Sequence, residues 1–536
     1  MKRLFKTFFC FIITAILLSS VSCSQSRKLE DGTYTVTVCA TTDVHGAYFD
    51  STYYGGKTNR TSMSKVSSYI KSLREKGIDP VLVDVGDNMQ GDEAAYYFNY
   101  VDTVGDHLMA KIAEYIGYDA VTVGNHDIET GHSVYDNIIK ELDVPYLAAN
   151  ADHSDSGEDY FIPYCITERN GIRVAVIGMT NANIANWLPE ELWEGLEFSI
   201  ISDFVQALVD EVIRTEEPDI TLLAVHSGAG DGKRDKENEA IYLASSLRGV
   251  DAVLGGHDHT PRADMIENPY GIVPLVNEGT KAEYVGRLDF ELDVRDGVVT
   301  DKRVKAELVP MKDIEADAEF NAFFSEEYNK VKSFVCRKIG TIKSPIDLSD
   351  ALKGPSSYIN LINSAQLEVS GADVSFAAPL SSHGVIPAGD VLYHDLNSIY
   401  RFENTMYVVE MTGRQIKDYL EMSYDNWVLK KGASYNYDSA AGINYTVSRS
   451  AKKGKRVRIT TMSNGDKFDY DKTYKVAMTS YRASGGGYLL KDGAGMNPEE
   501  LVVLAKYKDI RSIVGDYIER QGSLEVKKSD NWKFVK

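Results

Sequence analysis

The chain has 536 residues, of which 43% are hydrophobic and 26% are charged, and its formal net charge at pH 7 is −21. This length exceeds the roughly 100–200 residues of a typical domain, so two domains are the first expectation. The negative charge argues against a nucleic-acid polymer as a partner, because proteins that bind one carry a basic patch or stripe. It does not exclude a small anionic substrate, since bound metal ions would dominate the local field.

The amino terminus has the features of an export signal. Basic residues open the chain, an apolar run follows at Phe8–Leu18, and small residues lead to Cys23. The run is shorter than the ~20 residues that span a bilayer, which disfavours an uncleaved anchor. Ser20–Cys23 resembles a relaxed bacterial lipobox. We therefore predict a lipoprotein signal over residues 1–23 and an extracytoplasmic protein, in the periplasm or on the outer membrane. A lipid on Cys23 would be its only membrane attachment. The alternative is plain cleavage of the signal near Ser22.

From Thr33 to Leu308, strand-like apolar runs alternate with helical stretches. The strand-like runs are Tyr34–Ala40, Val81–Val85, Ala120–Val123, Ile220–Val225 and Val250–Leu254. The helical stretches are Met63–Glu75, Gly105–Ile116, Ser133–Glu141 and Ile201–Thr215. This alternation favours a βαβ-built sheet with helices on both faces, and the alternating residues of Arg287–Val294 indicate an added antiparallel strand. We predict a catalytic α/β domain over residues 33–310.

A second, smaller α/β domain is predicted over residues 340–520. Its helical stretches are Tyr358–Ser370 and Thr412–Ser423, and its strand-like runs are Met406–Met411 and Tyr474–Thr479. Between the domains, Asp313–Val335 carries apolar residues at spacings near three and four, which predicts a linker helix within residues 311–339. The tail after Ser529 is expected to fray.

Short segments with carboxylate, amide or imidazole side chains directly follow the five strand-like runs of the first domain. They are Asp43-Val44-His45, Gly86-Asp87-Asn88, Gly124-Asn125-His126-Asp127, His226-Ser227 and Gly255-Gly256-His257-Asp258-His259. The carboxyl ends of parallel strands share one edge of a sheet, where ligands gather. The predicted ligands of two divalent metal ions at this edge are Asp43, His45, Asp87, Asn125, His226, His257 and His259. Imidazole with carboxylate favours zinc or manganese, with iron and cobalt possible, over calcium.

Taken singly, these segments are weak signals. A D-x-H triplet is usually part of a turn, and Asp87 alone could cap the next helix. The Gly124–Asp127 segment is more specific, because a histidine beside a ligating asparagine can contact the substrate oxygen. Glu129, three residues after His126, could accept the other imidazole N–H. A pair of ions would provide a bridging hydroxide as nucleophile and clamp the attacking and leaving oxygens of a phosphoryl transfer.

The order D-x-H, G-D, G-N-H-[DE], H and G-H-x-H resembles that of the calcineurin-like metallophosphoesterases, over about Thr35–Leu308. The resemblance implies a four-layer αββα fold. It implies that one metal is held by Asp43, His45, Asp87 and His259. It implies that the other metal is held by Asp87, Asn125, His226 and His257. His126 and Glu129 would form the catalytic dyad, whose acid is usually Asp in the 5′-nucleotidase branch.

Two segments of the second domain place tyrosines before glycines. They are Tyr435–Gly442 and Ser480–Tyr488. Two facing tyrosines can sandwich a nucleobase, each stack contributing roughly 1–3 kcal/mol, and glycines let the backbone approach a base or ribose. The domain resembles the carboxy-terminal domain of the 5′-nucleotidase family, in which two aromatics clamp the base. By that resemblance the substrate-binding residues would be Tyr437, Tyr481, Gly485 and Gly486.

The branch of the family is suggested by the stretch Phe376–Gly384. The 5′-nucleotidases carry there an N-G-G-x-R stretch, whose arginine meets the nucleoside or its phosphates, whereas this chain has no arginine in it. With Ile386–Asp390 and the Tyr481 loop, the stretch more closely resembles the periplasmic 2′,3′-cyclic-nucleotide 2′-phosphodiesterase/3′-nucleotidases. We therefore predict a two-metal nucleotide phosphoesterase of that type. The alternatives are a 5′-nucleotidase/UDP-sugar hydrolase and, in another class, a non-catalytic nucleotide-binding surface lipoprotein, which predicts a gap in the ligand set that the sequence does not contain.

Overall fold

A computed structural model describes residues 29–402 and 404–536. The predicted export signal and Cys23 lie outside the described residues. Within the described ranges, no helix combines the length and the apolar character that a membrane crossing requires.

The amino-terminal half is built on two six-stranded sheets. In spatial order, the first sheet consists of Val298–Pro310, Tyr284–Arg295, Gly32–Thr41, Val81–Asp84, Ala120–Thr122 and Tyr146–Leu147. The second consists of Arg262–Asn268, Gly271–Asn277, Ala252–Gly255, Ile220–Val225, Ile172–Met179 and Tyr164–Arg169. A small separate pair joins Ala151–His153 to Leu196–Phe198. The two large sheets share one core, in which Val38 and Val83 of the first lie with Leu222 of the second.

Helices cover the outer face of each sheet. Those packed on the first sheet are Met63–Glu75, Glu93–Tyr100, Leu108–Ile116, Asn125–Glu129 and His132–Glu141. Those packed on the second sheet are Ile201–Glu216 and Ala240–Ser246. The single turn Ile184–Trp187 and the 3₁₀ turn Glu190–Leu192 precede them. The predicted four-layer αββα arrangement is therefore confirmed.

Burial explains why the central strands read as continuous apolar runs. Val81–Asp84 and Ile220–Val225 are buried at every position, because each lies between a second sheet and a helical layer. Both strands are parallel to their neighbours. Tyr284–Arg295 pairs antiparallel with Gly32–Thr41, as its alternating pattern predicts.

The segment predicted as one linker helix forms two. Ala318–Phe323 is capped by Asp317, whose carboxylate accepts from the backbone N–H groups of Glu319 and Phe320, and Ser325–Val335 follows. Four apolar side chains of this segment are fully buried in the amino-terminal core: Phe320, Phe324, Val331 and Val335. The segment thus packs as part of the first domain's outer helical layer.

The carboxy-terminal half is a smaller α/β domain. Its main sheet consists, in spatial order, of Ser439–Ala441, Val374–Ala377, Thr473–Thr479, Thr405–Thr412 and Val503–Asp509. The smaller sheets consist of Gly389–Leu392 with Lys338–Ile342 and Ser523–Leu524, of Val457–Met462 with Ile443–Ser448 and Trp532–Val535, and of Ile346–Asp347 with Val385–Ile386. The principal helices are Ser357–Ser370, Asp395–Ile399, Gly413–Leu429, Ser480–Ala483 and Ile510–Gln521.

The expectation that the tail frays is wrong. Trp532–Val535 forms a parallel strand beside Ile443–Ser448. Trp532 is buried and its ring stacks on that of Tyr445, with centroids 5.8 Å apart. An aromatic residue so close to the terminus was the sequence signal for a docked tail, because burial of one such side chain contributes roughly 1.5–3 kcal/mol.

Candidate functional site

The predicted metal ligands meet where the carboxyl edges of the two sheets adjoin. The first sheet supplies Asp43, His45, Asp87 and Asn125, and the second supplies His226, His257 and His259. Sequence reasoning placed all of them along one rim. The structure instead distributes them over two rims that face each other across the top of the sandwich.

The ligand atoms form two groups. In each group one ligand atom per residue lies within 4.8 Å of the others: Asp43 with His45 and His259, and Asp87 with His226 and His257. In the first group, Nε2 of His259 lies 3.0 Å from Nε2 of His45 and 3.2 Å from Oδ1 of Asp43. In the second, Nε2 of His226 lies 3.1 Å from Oδ2 of Asp87. Asn125 joins the second group, with its Oδ1 at 2.9 Å from Nδ1 of His257.

Two buried atoms at the centre of these groups test whether a metal fits. Oδ1 of Asp43 and Nε2 of His226 make no hydrogen bond to any described residue, despite the short contacts just given. A buried polar atom without a partner costs about 1–3 kcal/mol. Imidazole nitrogens and carboxylate oxygens are the donors that zinc and manganese accept. The donor set therefore fits a pair of divalent cations.

The second ring nitrogen of two histidines is held by the backbone. Nδ1–H of His45 donates to the carbonyl of Gln90 at 2.8 Å, and Nδ1–H of His226 to that of Val85 at 2.7 Å. Both bonds turn Nε2 toward the groups, as in many metal sites. Burial lowers the pKa of His45 to about 4, so its imidazole is neutral. Burial also acts to lower the pKa of His226, but Asp87 outweighs it and raises the value to about 9; a cation between the two would replace that proton.

The backbone at the ligands is strained. Five of them adopt a positive φ, namely Asp43 (49°), His45 (49°), Asp87 (60°), His257 (73°) and His259 (53°). Each such residue costs on the order of 1–3 kcal/mol, and such residues cluster where function requires them. The strain is therefore independent support for a site at this rim.

Two glycines let the ligand loops approach each other. A Cβ on Gly124 would lie 2.2 Å from Oδ1 of Asp87, and one on Gly86 would lie 2.5 Å from the backbone nitrogen of Gly124. Gly86 directly precedes the predicted ligand Asp87 in the chain. In the structure, the absence of a side chain at Gly86 lets the Asp87 loop pack against the Asn125 loop.

Asp127 is a residue of the site that sequence reasoning left without a role. Its buried carboxylate accepts hydrogen bonds from the backbone N–H groups of Gly124 (2.8 Å), Asp87 (3.0 Å), Asn88 (3.0 Å) and Met89 (3.1 Å). It thereby fastens the Asp87 loop to the Asn125 loop. Its place as the fourth residue of the G-N-H-D motif was the available signal.

The structure brings His126 and Glu129 together. Nδ1–H of His126 donates to the Glu129 carboxylate one helical turn away, and the backbone N–H of His126 donates to Oδ1 of Asp87 at 2.8 Å. Burial acts to lower the pKa of His126, but the carboxylates of Asp87 and Glu129 raise it to about 10. With Nδ1 engaged, Nε2 is the atom that can reach a ligand in the adjoining cavity.

A cavity of about 820 Å³ lies between the two domains. Asn125, His126 and His257 line it on the amino-terminal side. Tyr435 and Tyr481 line it on the carboxy-terminal side. One continuous space therefore connects the metal-ligand residues with aromatic side chains of the second domain.

The predicted pairing of Tyr437 with Tyr481 needs correction. Tyr437 is 8% exposed and stacks on Trp427 in the domain core, with ring centroids 5.8 Å apart, and its hydroxyl donates to the carbonyl of Gly432. Tyr435, 38% exposed, faces the cavity instead. The 3₁₀ turn Ser434–Asn436 directs the two side chains apart. The spacing of the two tyrosines before Gly442 does not distinguish them.

The predicted contact of Gly485 and Gly486 with substrate also needs correction. Neither is among the described residues that line the cavity. A Cβ on Gly486 would lie 2.3 Å from the ring of Tyr481, so this glycine covers one edge of that ring. The glycine loop therefore supports Tyr481 from behind, and Tyr481 lines the cavity.

A buried ion pair, which sequence reasoning missed, joins the two tyrosine loops. Arg482 and Asp438 are 4% and 2% exposed, and their charged atoms approach to 2.7 Å. The Arg482 guanidinium also donates to the carbonyl groups of Tyr435 and Gly486 and, at 2.9 Å, to Oδ1 of Asn436. Arg482 thus fixes the loop of Tyr435 relative to that of Tyr481.

Gly486→Ala is expected to raise KM for nucleotides with little change in kcat. The added methyl group would displace the Tyr481 ring, and a clash of this size costs roughly 1–3 kcal/mol. Steady-state kinetics with a nucleotide and with an aryl phosphate would measure the effect, the aryl phosphate serving as the control because it lacks a base. An unchanged nucleotide KM would contradict the supporting role of Gly486.

Comparison with known families identifies the class of protein. Residues 36–261 match the family model of the calcineurin-like phosphoesterases, and residues 338–492 match that of the 5′-nucleotidase C-terminal domain. The first match implies a dinuclear metal site, so the protein is a metal-dependent phosphoesterase. Because both domains are present in this order, the chain belongs to the 5′-nucleotidase family and is a nucleotide phosphoesterase.

Individual relatives cover most of the chain. A trifunctional nucleotide phosphoesterase protein of Bacillus subtilis is 25% identical over 93% of this chain, which spans 39% of that protein's length. A 2′,3′-cyclic-nucleotide 2′-phosphodiesterase/3′-nucleotidase of Haemophilus influenzae is 25% identical over 93% of this chain and 87% of its own length. The crystal structure of a candidate 5′-nucleotidase from Staphylococcus aureus has the same fold, with a TM-score of 0.73 at 21% identity, over 94% of this chain and 100% of that one.

Proposed function

We propose that the protein is an extracytoplasmic 2′,3′-cyclic-nucleotide 2′-phosphodiesterase/3′-nucleotidase. The observation that carries this proposal is that one continuous cavity reaches from Asn125 and His126 to Tyr435 and Tyr481. Its volume of about 820 Å³ falls within the roughly 300–1,000 Å³ of small-molecule sites. A phosphoester can lie at one end while its nucleobase lies at the other.

In this proposal one cation is held by Asp43, His45, Asp87 and His259, and the other by Asp87, Asn125, His226 and His257. Two such cations, when bound, neutralise charge on phosphoryl oxygens and lower the pKa of a water molecule. Zinc and manganese are the proposed metals, with iron and cobalt as alternatives.

The remaining steps belong to the chain's own side chains. His126 Nε2 donates a hydrogen bond, and then a proton, to the leaving ribose oxygen as the phosphoester bond breaks. Glu129 stabilises the imidazolium through Nδ1–H and keeps the ring turned toward the cavity. Asp87 holds the same residue from behind by accepting its backbone N–H.

Tyr435 and Tyr481 are the proposed base-binding residues. Tyr481 is backed by Gly486, and Arg482 fixes its loop to that of Tyr435, so both rings are positioned before a ligand arrives. Preorganised rings of this kind lose little conformational entropy when they stack on a base.

The lining of the cavity supports the cyclic-nucleotide branch. Phe376, Ala377, Ala378 and Leu380 line it in place of the arginine-bearing stretch of the 5′-nucleotidases. These four apolar residues therefore offer no cationic side chain to the nucleoside or its phosphate. A 5′-nucleotidase/UDP-sugar hydrolase is the second candidate, because the cavity has room for more than a mononucleotide.

A phosphate-release panel with 2′,3′-cyclic AMP, 3′-AMP, 5′-AMP and a nucleotide sugar tests the proposed branch. We expect the first two substrates to be turned over with the highest kcat/KM. Preference for 5′-AMP or the sugar nucleotide would favour the second candidate, and hydrolysis of none of them with added manganese or zinc would reject both.

The proposed location can be tested separately. The sequence of the amino terminus supports export and lipidation of Cys23. Metabolic labelling with a radioactive fatty acid should label the full-length protein and not a Cys23→Ala variant. Absence of label from the unchanged protein would favour plain export without lipidation, and equal labelling of both proteins would exclude Cys23 as the lipidated residue.

Tyr481→Ala is expected to raise KM for nucleotides by roughly one to two orders of magnitude, because a base–aromatic stack contributes about 1–3 kcal/mol. Activity toward 4-nitrophenyl phosphate, which has no base, should stay close to that of the unchanged protein. Tyr435→Ala should behave in the same way. Equal losses on both substrates would contradict the assignment of these rings to base binding.

A further inference from the structure

His257 differs from His45 and His226 in the partner of its second ring nitrogen. Nδ1–H of His45 and Nδ1–H of His226 donate to backbone carbonyl groups. Nε2–H of His257 instead donates to a side chain, Oε1 of Glu237, at 3.3 Å. Of these three hydrogen bonds between described residues, only the bond to Glu237 has a side-chain acceptor, so only this acceptor can be removed by a substitution.

Glu237 is held firmly although it lies in a loop. Its backbone carbonyl accepts from Oγ–H of Ser227 at 2.8 Å and from the amide of Asn181 at 3.1 Å. Its backbone N–H donates to Oδ1 of Asp235 at 2.8 Å. Ser227 and Asn181 are both fully buried. The bonds on both sides of the residue fix where its side chain begins.

Trp187 restrains the same imidazole from one face. Its ring is nearly parallel to that of His257, with centroids 5.2 Å apart and an interplanar angle of 16°. With Glu237 at Nε2 and Trp187 on the face, rotation of the ring would break both contacts. Nδ1 therefore remains directed toward Asn125 and the group formed with Asp87 and His226.

We propose that Glu237 is a positioning residue for the metal centre, which acts by keeping the proton of His257 on Nε2 so that the lone pair of Nδ1 faces the metal. A neutral imidazole carries one N–H, and the partner of that N–H decides which nitrogen can ligate. This inference rests on the proposed metal centre and identifies a residue that orients one of its ligands. Glu237 touches the reaction only through His257.

Glu237 also lies in the cavity wall, beside Trp187 and His257. Its side chain is 39% exposed. The bond that orients the ligand is thus at the surface that a bound nucleotide would cover. Loss of the bond should weaken one of the two metal sites and leave the site of Asp43, His45 and His259 unchanged.

A chelator titration of the manganese-loaded holoenzyme tests the inference without using activity. Total metal is measured by mass spectrometry after equilibration with increasing chelator, and two release steps are expected for the unchanged protein. In Glu237→Ala, one step should move to a lower chelator concentration, with the affinity of one ion reduced about 10- to 100-fold, as for other residues that orient a metal ligand. Glu237→Gln keeps an acceptor oxygen and should restore most of that affinity.

Lys236→Ala, a change at the exposed neighbouring position, should leave both steps unchanged. Thermal unfolding of each variant would confirm that it is folded. If the unchanged protein holds two ions and Glu237→Ala releases them in the same way, the inference is overturned while the proposed function stands. Equal losses in Glu237→Gln and Glu237→Ala would also overturn it. Fewer than two ions on the unchanged protein would reject the proposed metal centre itself, and the inference with it.

Discussion

Asp87→Asn is expected to lower kcat/KM by roughly three orders of magnitude or more with every substrate, because a two-metal centre supplies several kcal/mol of transition-state stabilisation. In the proposed metal centre Asp87 ligates both cations, and in the structure it belongs to the group that contains His226 and His257. Its Oδ2 lies 3.1 Å from Nε2 of His226, and its Oδ1 accepts the backbone N–H of His126 at 2.8 Å. An amide offers one oxygen and no charge, so it cannot serve both cations.

The metal content of purified Asp87→Asn would show the cause directly, since fewer than two ions per chain should remain. Asp79→Asn is the matched control. It makes the same chemical change beyond the other end of the same strand, where the carboxylate is 63% exposed and does not line the cavity. A fully active Asp87→Asn protein, or one that retains both ions, would contradict the bridging role.

His126→Gln is expected to lower kcat by roughly 10²–10⁴-fold, the usual contribution of a general acid. The loss should depend on the leaving group. A ribose oxygen needs a proton as it departs, whereas 4-nitrophenolate leaves without one, so 4-nitrophenyl phosphate should lose much less. Single-turnover rates with 3′-AMP and with the aryl phosphate would measure the difference.

Glu129→Gln provides the companion measurement. It keeps an acceptor for Nδ1–H of His126 but removes the charge that stabilises the imidazolium, so an intermediate loss is expected. If His126→Gln reduces both substrates equally, then His126 contributes to binding of the phosphoryl group and does not donate the proton.

Much of the metal site could be predicted from the sequence because its predicted ligands lie in short contiguous motifs. A motif such as Gly124–Asp127 follows directly after a buried strand, and the direction of that strand decides where the ligands go. The helix Met63–Glu75 and the strand Ile220–Val225 begin and end where their apolar patterns predict. Elements of this kind are determined by the local apolar pattern, so the sequence alone predicts their bounds.

The parts that could not be predicted depend on contacts between distant residues. The choice of Tyr435 over Tyr437 is decided by Trp427, which offers a ring for the second tyrosine to stack on. The pairing of Arg482 with Asp438 spans 44 positions and appears only when two loops meet. The sequence of either loop does not predict contact with the other loop, because a buried ion pair between distant residues produces no periodic pattern in the sequence.

The left-handed backbone at five of the predicted metal ligands has a consequence for stability. Glycine would adopt those dihedral angles at lower cost than aspartate or histidine does. Glycine at these five positions would therefore favour a more stable protein that lacks the predicted metal ligands. The aspartate and histidine side chains therefore lower stability at these five positions, and ligation of metal ions is the proposed reason that they are present there.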